Sequence, residues 1–479
     1  MSTQSLSRGT VFLMVAEAVA LFSSYGLQVW IAYFLGAEAY GIFGVITSLY
    51  LINRAFLNTG IPRATSKFAA EDKENSGAIF RTSLKVQLWF ALAFGAVYVI
   101  FAKYIAGILH DISLTPYIIY LGVMVIPFSL LALFSTGYLN GLQMFREQAL
   151  IKSIYPFLQA VFSFILVILG FRIFGVITGY FLAVVVGLVM CLKYIKLDRN
   201  PQGHFSAKKL LLFSIPISLS AFCFVILRHV NLLFVKALLI DNRVVALFTA
   251  AATLSSVPFS IFGALPVVLL PSISQALSEN NLEKVRNYIS KSIRYSLLIL
   301  MPLSALVAAS SKEILGLLYP VYYEQAGLTL AILIFASSFL AIFATLNAVL
   351  VGSGRPLLQL ATVSLMVGLL VILNLLLIPR YGIVGSALAS LISSALAVLI
   401  DSIHAYRHFG MFLDLFSLFR ITLGSTGLFI VAYYWHYSGW VLIPHLLFVS
   451  ILYGLFLIFI GELTVKDWQF AKNAIFFWK

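Results

Sequence analysis

Long apolar runs, separated by short polar stretches, follow one another along nearly the whole chain. Each run is long enough to cross a bilayer, since a helix needs about 20 predominantly apolar residues to span the hydrocarbon core. The runs are continuous, whereas the strands of a membrane β-barrel are short segments of alternating polarity. We therefore predict an all-α integral membrane protein with about fourteen transmembrane helices. The predicted helices cover residues 11–35, 41–62, 84–109, 114–142, 150–170, 173–195, 210–237, 244–275, 293–311, 325–350, 357–378, 382–402, 419–435 and 440–461.

Two of the longest predicted helices contain prolines. Pro127 lies in the fourth helix, and the eighth contains three more, Pro258, Pro266 and Pro271. Proline removes a backbone hydrogen bond and clashes with the preceding turn, so we expect these helices to kink.

A weak internal repeat divides the predicted helices into two halves. Three pairs of segments match in order and at similar spacing: 34–50 with 238–254, 139–146 with 350–356, and 173–187 with 380–394. A repeat of six helices, an even number, gives two lobes related by an axis along the membrane normal, with a central cavity between them. The predicted domains are an N-terminal lobe over 1–203, a C-terminal lobe over 204–410, and over 411–479 an extra helix pair with an interfacial amphipathic tail.

Composition supports the membrane assignment. The chain is 62% hydrophobic and 10% charged, with a mean hydropathy of +1.03, whereas soluble domains carry about 25% charged residues. The two cysteines, Cys191 and Cys223, lie in apolar runs and predict neither a disulfide framework nor a metal site. No cofactor is predicted.

The net charge of +14 is explained by topology rather than by nucleic-acid binding. With the N-terminus in the cytoplasm, most of the 31 lysines and arginines fall in cytoplasmic loops, as the positive-inside rule requires. We therefore predict a multi-pass protein of the cell (inner or plasma) membrane with both termini in the cytoplasm. The basic residues assigned to the outer side are Lys103, Arg172, Lys236, Arg243, Lys312 and Arg380.

Two arginines remain inside predicted membrane helices. Arg228 lies near the middle of the seventh helix with Asn231 on the same face, and Arg54 lies in the second with Asn58 one turn on. A charge at the bilayer centre costs about 2.5–3.5 kcal/mol on insertion scales, so such residues usually face a bundle interior or a wet cavity. Structural pairing of Arg228 and snorkelling of Arg54 are the alternatives, and His229 is predicted to be a packing residue.

Three further groups are weaker candidates. Glu17 could bind a coupling cation, pair with an arginine, or lie near the inner interface. Thr249 and Thr253 belong to a polar stripe that could contact sugar or allow close helix packing. Asp401, at the end of the twelfth helix near His404 and His408, is predicted to be part of a solvated helix end rather than a metal site.

Four segments together resemble a known family. The run YFLGAEAYGIFGVITSLYLINRAFLNTGIPRATSKFAAE (33–71) resembles the N-terminal signature of polysaccharide transporters, the Wzx-type flippases of lipid-linked oligosaccharides. Segments 139–153, 270–294 and 377–394 resemble later elements of the same family. It belongs to the multidrug/oligosaccharidyl-lipid/polysaccharide (MOP) exporter superfamily, with the MurJ lipid II flippases and the MATE drug exporters.

The resemblance implies a flippase that moves a polyprenyl-(pyro)phosphate-linked oligosaccharide from the cytoplasmic to the outer leaflet by alternating access. The carrier would be of undecaprenyl or dolichyl type, with H⁺ or Na⁺ and polysaccharide assembly proteins as possible partners. Arginine suits the phosphates because its planar fork makes paired charge-assisted hydrogen bonds. The predicted substrate-binding residues are Arg228, Asn231, Arg54, Asn58, Thr249 and Thr253.

Three alternatives stay open on sequence alone. A MATE-like ion-coupled exporter of small molecules would favour acidic cavity residues, which are scarce here. A membrane glycosyltransferase or polymerase would need catalytic groups in an outer loop, and the predicted outer loops are short. A scaffold would leave the central charges unexplained. No nucleotide-binding loop is found, because Gly352-Ser353-Gly354 is not followed by Gly-Lys-Ser/Thr, so the energy source is predicted to be an ion gradient, the membrane potential or a substrate gradient. The chain is predicted to be a membrane transporter rather than an enzyme.

Overall fold

The computed structural model describes residues 3–195, 205–263, 265–410, 414–435 and 437–463. Side chains are described from residue 22 onward, apart from that of residue 356. The described chain is 91% helical and contains no strand, as predicted. The predicted amphipathic tail, over 466–479, lies outside the described residues.

The chain divides into two compact units, Met1–Ala246 and Leu247–Lys479. This boundary follows internal contacts, whereas the predicted lobes follow the repeat, so the lobe boundaries stay a prediction. The helices that begin in the first unit are α1 (Thr3–Leu57), α2 (Gly60–Glu71), α3 (Ser76–Ile108), α4 (Thr115–Ala132), α5 (Phe145–Leu166), α6 (Arg172–Tyr194), α7 (Ala207–Leu239) and α8 (Asn242–Ser255). The helices of the second unit are α9 (Val257–Phe262), α10 (Leu265–Ser278), α11 (Leu282–Ala309), α12 (Ser311–Leu318), α13 (Gly327–Gly352), α14 (Pro356–Phe409), α15 (Leu415–Tyr434) and α16 (Leu442–Phe459).

Eleven helical runs of the described chain are long and apolar enough to cross a membrane. Three of them, at 50 to 53 residues, are far longer than one crossing needs. Each contains one glycine with non-helical backbone angles, at Gly36, Gly170 or Gly382. Dividing the three runs there gives fourteen segments, but the number of membrane crossings stays a prediction.

Side-chain contacts across these glycines show that the chain folds back on itself. Ser163 donates a hydrogen bond to the Val176 carbonyl over 3.1 Å, and Ser386 donates to the Asn374 amide oxygen over 2.8 Å. Gly179 packs directly on the backbone of Ser163, so no room for a Cβ remains there. Small residues therefore let the two arms of each hairpin approach closely, as in many membrane helix pairs.

Prolines break the predicted eighth helix. The structure divides it into α8, α9 and α10, with the breaks next to Pro258 and Pro266. Pro271 lies within α10. The predicted kink near Pro258 therefore corresponds to an interruption of the helix at Ser256.

The hydrophilic stretch after the second predicted helix contains α2, which sequence analysis did not predict as a helix. One face of α2 is buried and includes Ile61, Thr65 and Phe68, while Lys67 on another face is partly exposed. Lys67 lies 4.3 Å from the ring centre of Phe213 on α7, a cation–π distance. This amphipathic helix packs against α7 and so helps to fix its position in the first unit.

Lys236, predicted to lie at the outer side, is a buried residue of α7 with 1% of its side chain exposed. Its ammonium group lies 2.8 Å from the Asp111 carboxylate and 2.6 Å from the Asn242 amide oxygen. The Ile240 carbonyl accepts a third hydrogen bond over 3.0 Å. All three ammonium hydrogens therefore have acceptors, which is the condition for burying a lysine charge.

The same cluster stabilises an unusual backbone conformation. Ile240 has φ of +64°, a region that β-branched residues seldom adopt. The hydrogen bond from Lys236 to its carbonyl helps to hold this turn between α7 and α8. Burial alone would raise the pKa of the Asp111 carboxyl, but the hydrogen bond from Lys236 and two further donors bring it below its usual value.

We predict that Asp111→Asn destabilises the protein at neutral pH, because it leaves the buried Lys236 charge without a counter-charge. Breaking a buried pair from one side costs roughly 3–5 kcal/mol. Because the folded-state pKa of Asp111 is lowered, its contribution is complete above the unfolded value of about 3.9 and is lost as the pH falls through the folded value. Thermal unfolding of the purified protein should therefore show a large difference from wild type at pH 7.

This difference should shrink towards zero in strong acid, where the wild-type carboxyl is also protonated. Glu38→Gln, at an exposed acid, is the control and should match wild type throughout. A difference at pH 7 that persists unchanged in acid would contradict the ion-pair interpretation.

Candidate functional site

A cavity of about 330 Å³ lies within the first unit. Its walls come from the second arm of α1, from α4 and the π-helical turn that follows it, from α5, and from the middle of α7. The polar and charged residues that line it are Tyr50, Arg54, Asn58, Thr59, Ser135, Thr136, Lys152, Tyr155, Arg228 and His229. The cavity is therefore a polar space inside an otherwise apolar bundle.

Three basic side chains contribute to this cavity from three different helices. Arg54 comes from α1, Lys152 from α5 and Arg228 from α7. Among the described residues that line the cavity, none is acidic. The lining therefore has a net positive charge in surroundings of low dielectric constant, where a bound anion is held more strongly than in water.

Contacts between α1 and α7 place two of these cations on one cavity. Ser218 of α7 donates a hydrogen bond to the Phe56 carbonyl of α1 over 3.0 Å. Gly60, just beyond α1, packs against Ser214 and Ser218 so closely that a Cβ would collide with them. The two backbones are thus held side by side next to Arg54.

Tyrosines form an uncharged wall of the cavity. The hydroxyls of Tyr50 and Tyr155 lie 3.4 Å apart, and Gln159 donates to Tyr155 over 2.7 Å. The Tyr50 ring also packs on Phe128, with 4.7 Å between ring centres. Each tyrosine presents an apolar ring and a polar hydroxyl, a combination that suits ligands with both kinds of surface.

The structure brings three of the predicted site residues together, since Arg54, Asn58 and Arg228 all line this cavity. Asn231 is buried, with 5% exposed, and does not belong to the lining. His229, predicted to be a packing residue, is part of the lining.

The remaining predicted residues lie elsewhere. Thr249 and Thr253 belong to the part of α8 in the second unit, where the Thr253 hydroxyl donates to the Thr249 carbonyl over 2.8 Å. The side chain of Glu17 lies outside the described residues. Their roles in binding and ion coupling stay predictions.

The prediction of a solvated helix end at Asp401 was wrong. Asp401 is completely buried, because α14 continues to Phe409 and packs against α13 at this level. Its carboxylate accepts a hydrogen bond from the Asn347 amide over 3.0 Å. It is therefore a carboxylate buried within the protein rather than a solvated one.

Sequence analysis missed Lys152, Tyr50 and Tyr155 as cavity residues. Lys152, at the start of the predicted helix 150–170, was assigned to the cytoplasmic side, and it lies in the second turn of α5. Residues 152, 155 and 159 are spaced by three and four and therefore share one face of the helix. This spacing was the signal that could have identified a polar face.

Comparison with known sequences decides the family. The sequence profile of the polysaccharide biosynthesis protein family matches residues 6–277, more than half of the chain. The chain belongs to this family. A second profile, that of the MatE family, matches residues 216–377. The polysaccharide biosynthesis family and MatE both fall within the MOP exporter superfamily, so the chain is a multi-pass membrane protein of a flippase and transporter class, not an enzyme.

Individual relatives agree with this assignment. A membrane protein of Methanocaldococcus jannaschii, MJ1375, is 26% identical over 83% of this chain and 97% of its own length. Stage V sporulation protein B of Bacillus subtilis is 24% identical over 84% of each chain. Among solved structures, the lipid II flippase MurJ in an inward closed conformation matches with a TM-score of 0.77, over 95% of this chain and 99% of its own. Its identity is 15%, so this likeness concerns the fold.

We predict that the cavity is open to water-soluble reagents. In a variant with Cys191 and Cys223 replaced by alanine, Thr136→Cys should react with a hydrophilic maleimide, because Thr136 lines the cavity. Ser129→Cys, from the same predicted helix but completely buried and outside the lining, should react far more slowly. Reaction rates in detergent are followed by mass spectrometry. Equal rates at the two positions would show that the cavity is not hydrated.

Proposed function

We propose that this protein is a flippase for a polyprenyl-linked oligosaccharide, which it moves from the cytoplasmic to the outer leaflet by alternating access. The single observation that carries the proposal is the convergence of Arg54, Lys152 and Arg228 on one cavity. In a chain of the polysaccharide biosynthesis family, such a cavity suits a polar headgroup attached to an anionic phosphate or pyrophosphate.

The two arginines would bind the phosphate groups. A guanidinium group offers paired hydrogen bonds to phosphate oxygens, and hydrogen bonds of this kind to charged groups contribute about 1.5–3 kcal/mol each. Lys152, as a flexible point charge, would follow the phosphate as the headgroup moves. Removal of water from the cavity strengthens all three interactions.

The uncharged lining would hold the sugars. Asn58 and Thr136 supply amide and hydroxyl groups, and Tyr50 with Tyr155 adds aromatic rings beside hydroxyls. None of these groups is charged, so none of them selects a particular sugar through an ionic interaction. The remaining predicted contacts, Asn231, Thr249 and Thr253, would act at other stages of transport, and Glu17 would serve ion coupling.

The proposed direction of transport is the one that the resemblance to Wzx-type flippases implies, and the distribution of basic residues supplies the membrane orientation. Lys and Arg collect in loops that the positive-inside rule assigns to the cytoplasm, which puts both termini on that side of the cell membrane. Lipid-linked sugars would then enter from the cytoplasmic leaflet. The partners of the protein would be the lipid-linked oligosaccharide, membrane lipid and enzymes of polysaccharide assembly.

A second candidate is export of small molecules, because the MatE profile also matches part of the chain. An exporter of cationic drugs needs acidic or neutral groups around its substrate. The described lining of this cavity contains cations and no acid, which favours an anionic substrate. We therefore rank the exporter second.

We predict that Arg228→Gln and Arg54→Gln each reduce the rate of flipping at least tenfold. Loss of one charge-assisted hydrogen bond of about 1.5 kcal/mol corresponds to a factor of about ten. The measurement uses purified protein in lipid vesicles and a fluorescent undecaprenyl-pyrophosphate oligosaccharide, with leaflet exposure read by an impermeant quencher. Arg228→Lys keeps the charge and should retain part of the rate.

Arg380→Gln is the matched control, since Arg380 is exposed and far in sequence from every cavity residue. It should flip the lipid at the wild-type rate. If Arg228→Gln and Arg54→Gln both equal this control, the cavity is not the phosphate site. If the wild type exports a cationic dye but leaves the lipid-linked sugar in place, the exporter assignment replaces ours.

A further inference from the structure

Asp401 is a completely buried carboxylate in the second unit, and it does not line the cavity of the first unit. It lies on α14 and contacts Asn347 of α13. No basic side chain in the described part of the chain forms an ion pair with it. An ionised carboxylate in such surroundings is very costly, and a buried acid without a counter-charge is normally neutral or binds a cation.

The hydrogen bonds around Asp401 leave one side of the carboxyl group open. The Asn347 amide nitrogen donates to Oδ2 of Asp401 over 3.0 Å and to the Phe343 carbonyl over 2.9 Å. The other carboxyl oxygen, Oδ1, is buried without a donor, and so is the amide oxygen of Asn347. Buried acceptors without a donor are uncommon in proteins, and a proton, a water molecule or a bound cation would satisfy them.

Thr362 supplies an acceptor for such a proton. Its hydroxyl lies 2.8 Å from the Leu358 carbonyl and also faces the Asp401 carboxyl group, so it can donate to one of them while its oxygen accepts from the other. A hydroxyl on the neutral carboxyl group would complete the network while Thr362 keeps its bond to Leu358, whereas an ionised Asp401 would need Thr362 to give that bond up. The oxygen cluster consists of Oδ1 of Asp401, the amide oxygen of Asn347 and the hydroxyl oxygen of Thr362. Three oxygens are fewer than the six or more ligands that hard metal cations usually take.

The charged groups near this network lie towards one end of α14. Neither α13 nor the first arm of α14, residues 356–379, contains a charged residue. From α11, Arg286 donates to the Phe409 carbonyl at the far end of the helix. Arg355 lies in the turn before α14, and Arg407 is exposed. None of these forms an ion pair with Asp401.

One face of α14 connects Asp401 to that end. His404 and His408 follow Asp401 at spacings of three and four, so the three share a helical face. Exposure rises along it, from the buried acid through the partly buried His404 to the exposed His408. Imidazoles accept and release protons near neutral pH, which suits them to pass protons along this face.

We infer that Asp401 is a proton-binding site, protonated in this conformation and exchanging its proton with water through His404 and His408. Binding needs only the oxygen cluster described above. The coupling of this proton site to transport rests on the proposed flippase function. Loss of the proton would drive the ends of α13 and α14 apart and let water in. The site is distinct from the predicted ion-coupling residue Glu17.

Infrared difference spectroscopy of the full-length protein in lipid nanodiscs tests the site directly. At neutral pH, wild type should show the carbonyl stretch of a protonated carboxylic acid, and that band should disappear only at alkaline pH. Asp401→Asn, which keeps the shape and the hydrogen bond with Asn347, should lack the band. A thermal unfolding midpoint like that of wild type shows that the variant is folded.

Glu462→Gln is the matched control. Glu462 is nearly as buried, at 3% exposed, but lies 2.9 Å from the Arg294 guanidinium, which supplies a counter-charge that Asp401 lacks. This variant should therefore leave the band unchanged, and Glu71→Gln, at an exposed acid, should do the same. A wild-type spectrum without the band at neutral pH, or a band that Glu462→Gln removes and Asp401→Asn does not, overturns the inference.

An exchange of cations in the buffer provides a second test of the proton assignment. Replacing choline chloride by sodium chloride at constant pH should leave the band unchanged. Loss of the band in sodium alone would mean that the cluster binds Na⁺ and would overturn the proton assignment.

Transport assays separate this inference from the proposed function. In vesicles with an imposed pH gradient, Asp401→Asn should abolish the several-fold response of flipping to the gradient. Arg228→Gln should lower flipping with and without the gradient and leave the infrared band intact. If the lipid is not flipped at all but the band behaves as expected, the proposed function fails and the proton site stands. If flipping by Asp401→Asn still responds to the gradient, the coupling fails.

Discussion

The structure depends on one constraint, which is that a charged group inside an apolar helical bundle must find compensation or water. The buried charges described above are compensated in different ways. Lys236 has three acceptors, and Glu462 pairs with Arg294. The cations of the first unit share a polar cavity, while Asp401 has an amide donor and an oxygen cluster that can take a proton. The way in which each charge is compensated separates groups that stabilise the fold from groups available for function.

Close helix contacts make this arrangement possible. Serines and glycines let hairpin arms approach until side-chain hydroxyls reach neighbouring carbonyls, as at Ser163 and Val176. In lipid there is little hydrophobic gain from bringing apolar helices together, so such packing and hydrogen bonding hold the bundle. The same mechanism at Ser218 and Phe56 positions α7 beside α1 and brings Arg228 to the cavity wall that holds Arg54.

The helical runs, the class of protein and two of the three cavity cations were predictable from sequence. Apolar length reports membrane helices directly, and an arginine such as Arg228 is conspicuous in such a run. Lys152 was not recognised because it lies in the second turn of α5, where a basic residue looks like a loop charge. Asp401 was misjudged for a different reason. Its burial depends on α13, and the spacing of residues along α14 does not reveal that neighbour. The helix α2 was hidden because its amphipathic pattern has low mean hydropathy, while the membrane signal rests on continuous apolar residues.

The charge of the cavity has a consequence for the return step of a transport cycle. Arg54, Lys152 and Arg228 bring three positive charges to a space of about 330 Å³ that has no acid among its described lining residues, so the local potential favours anions. If the protein carries a phosphate-bearing ligand as proposed, small anions from the aqueous phase would take its place when it leaves. On that proposal, substrate entry would be an exchange of counter-ions whose free energy depends on the salt of the compartment that faces the cavity.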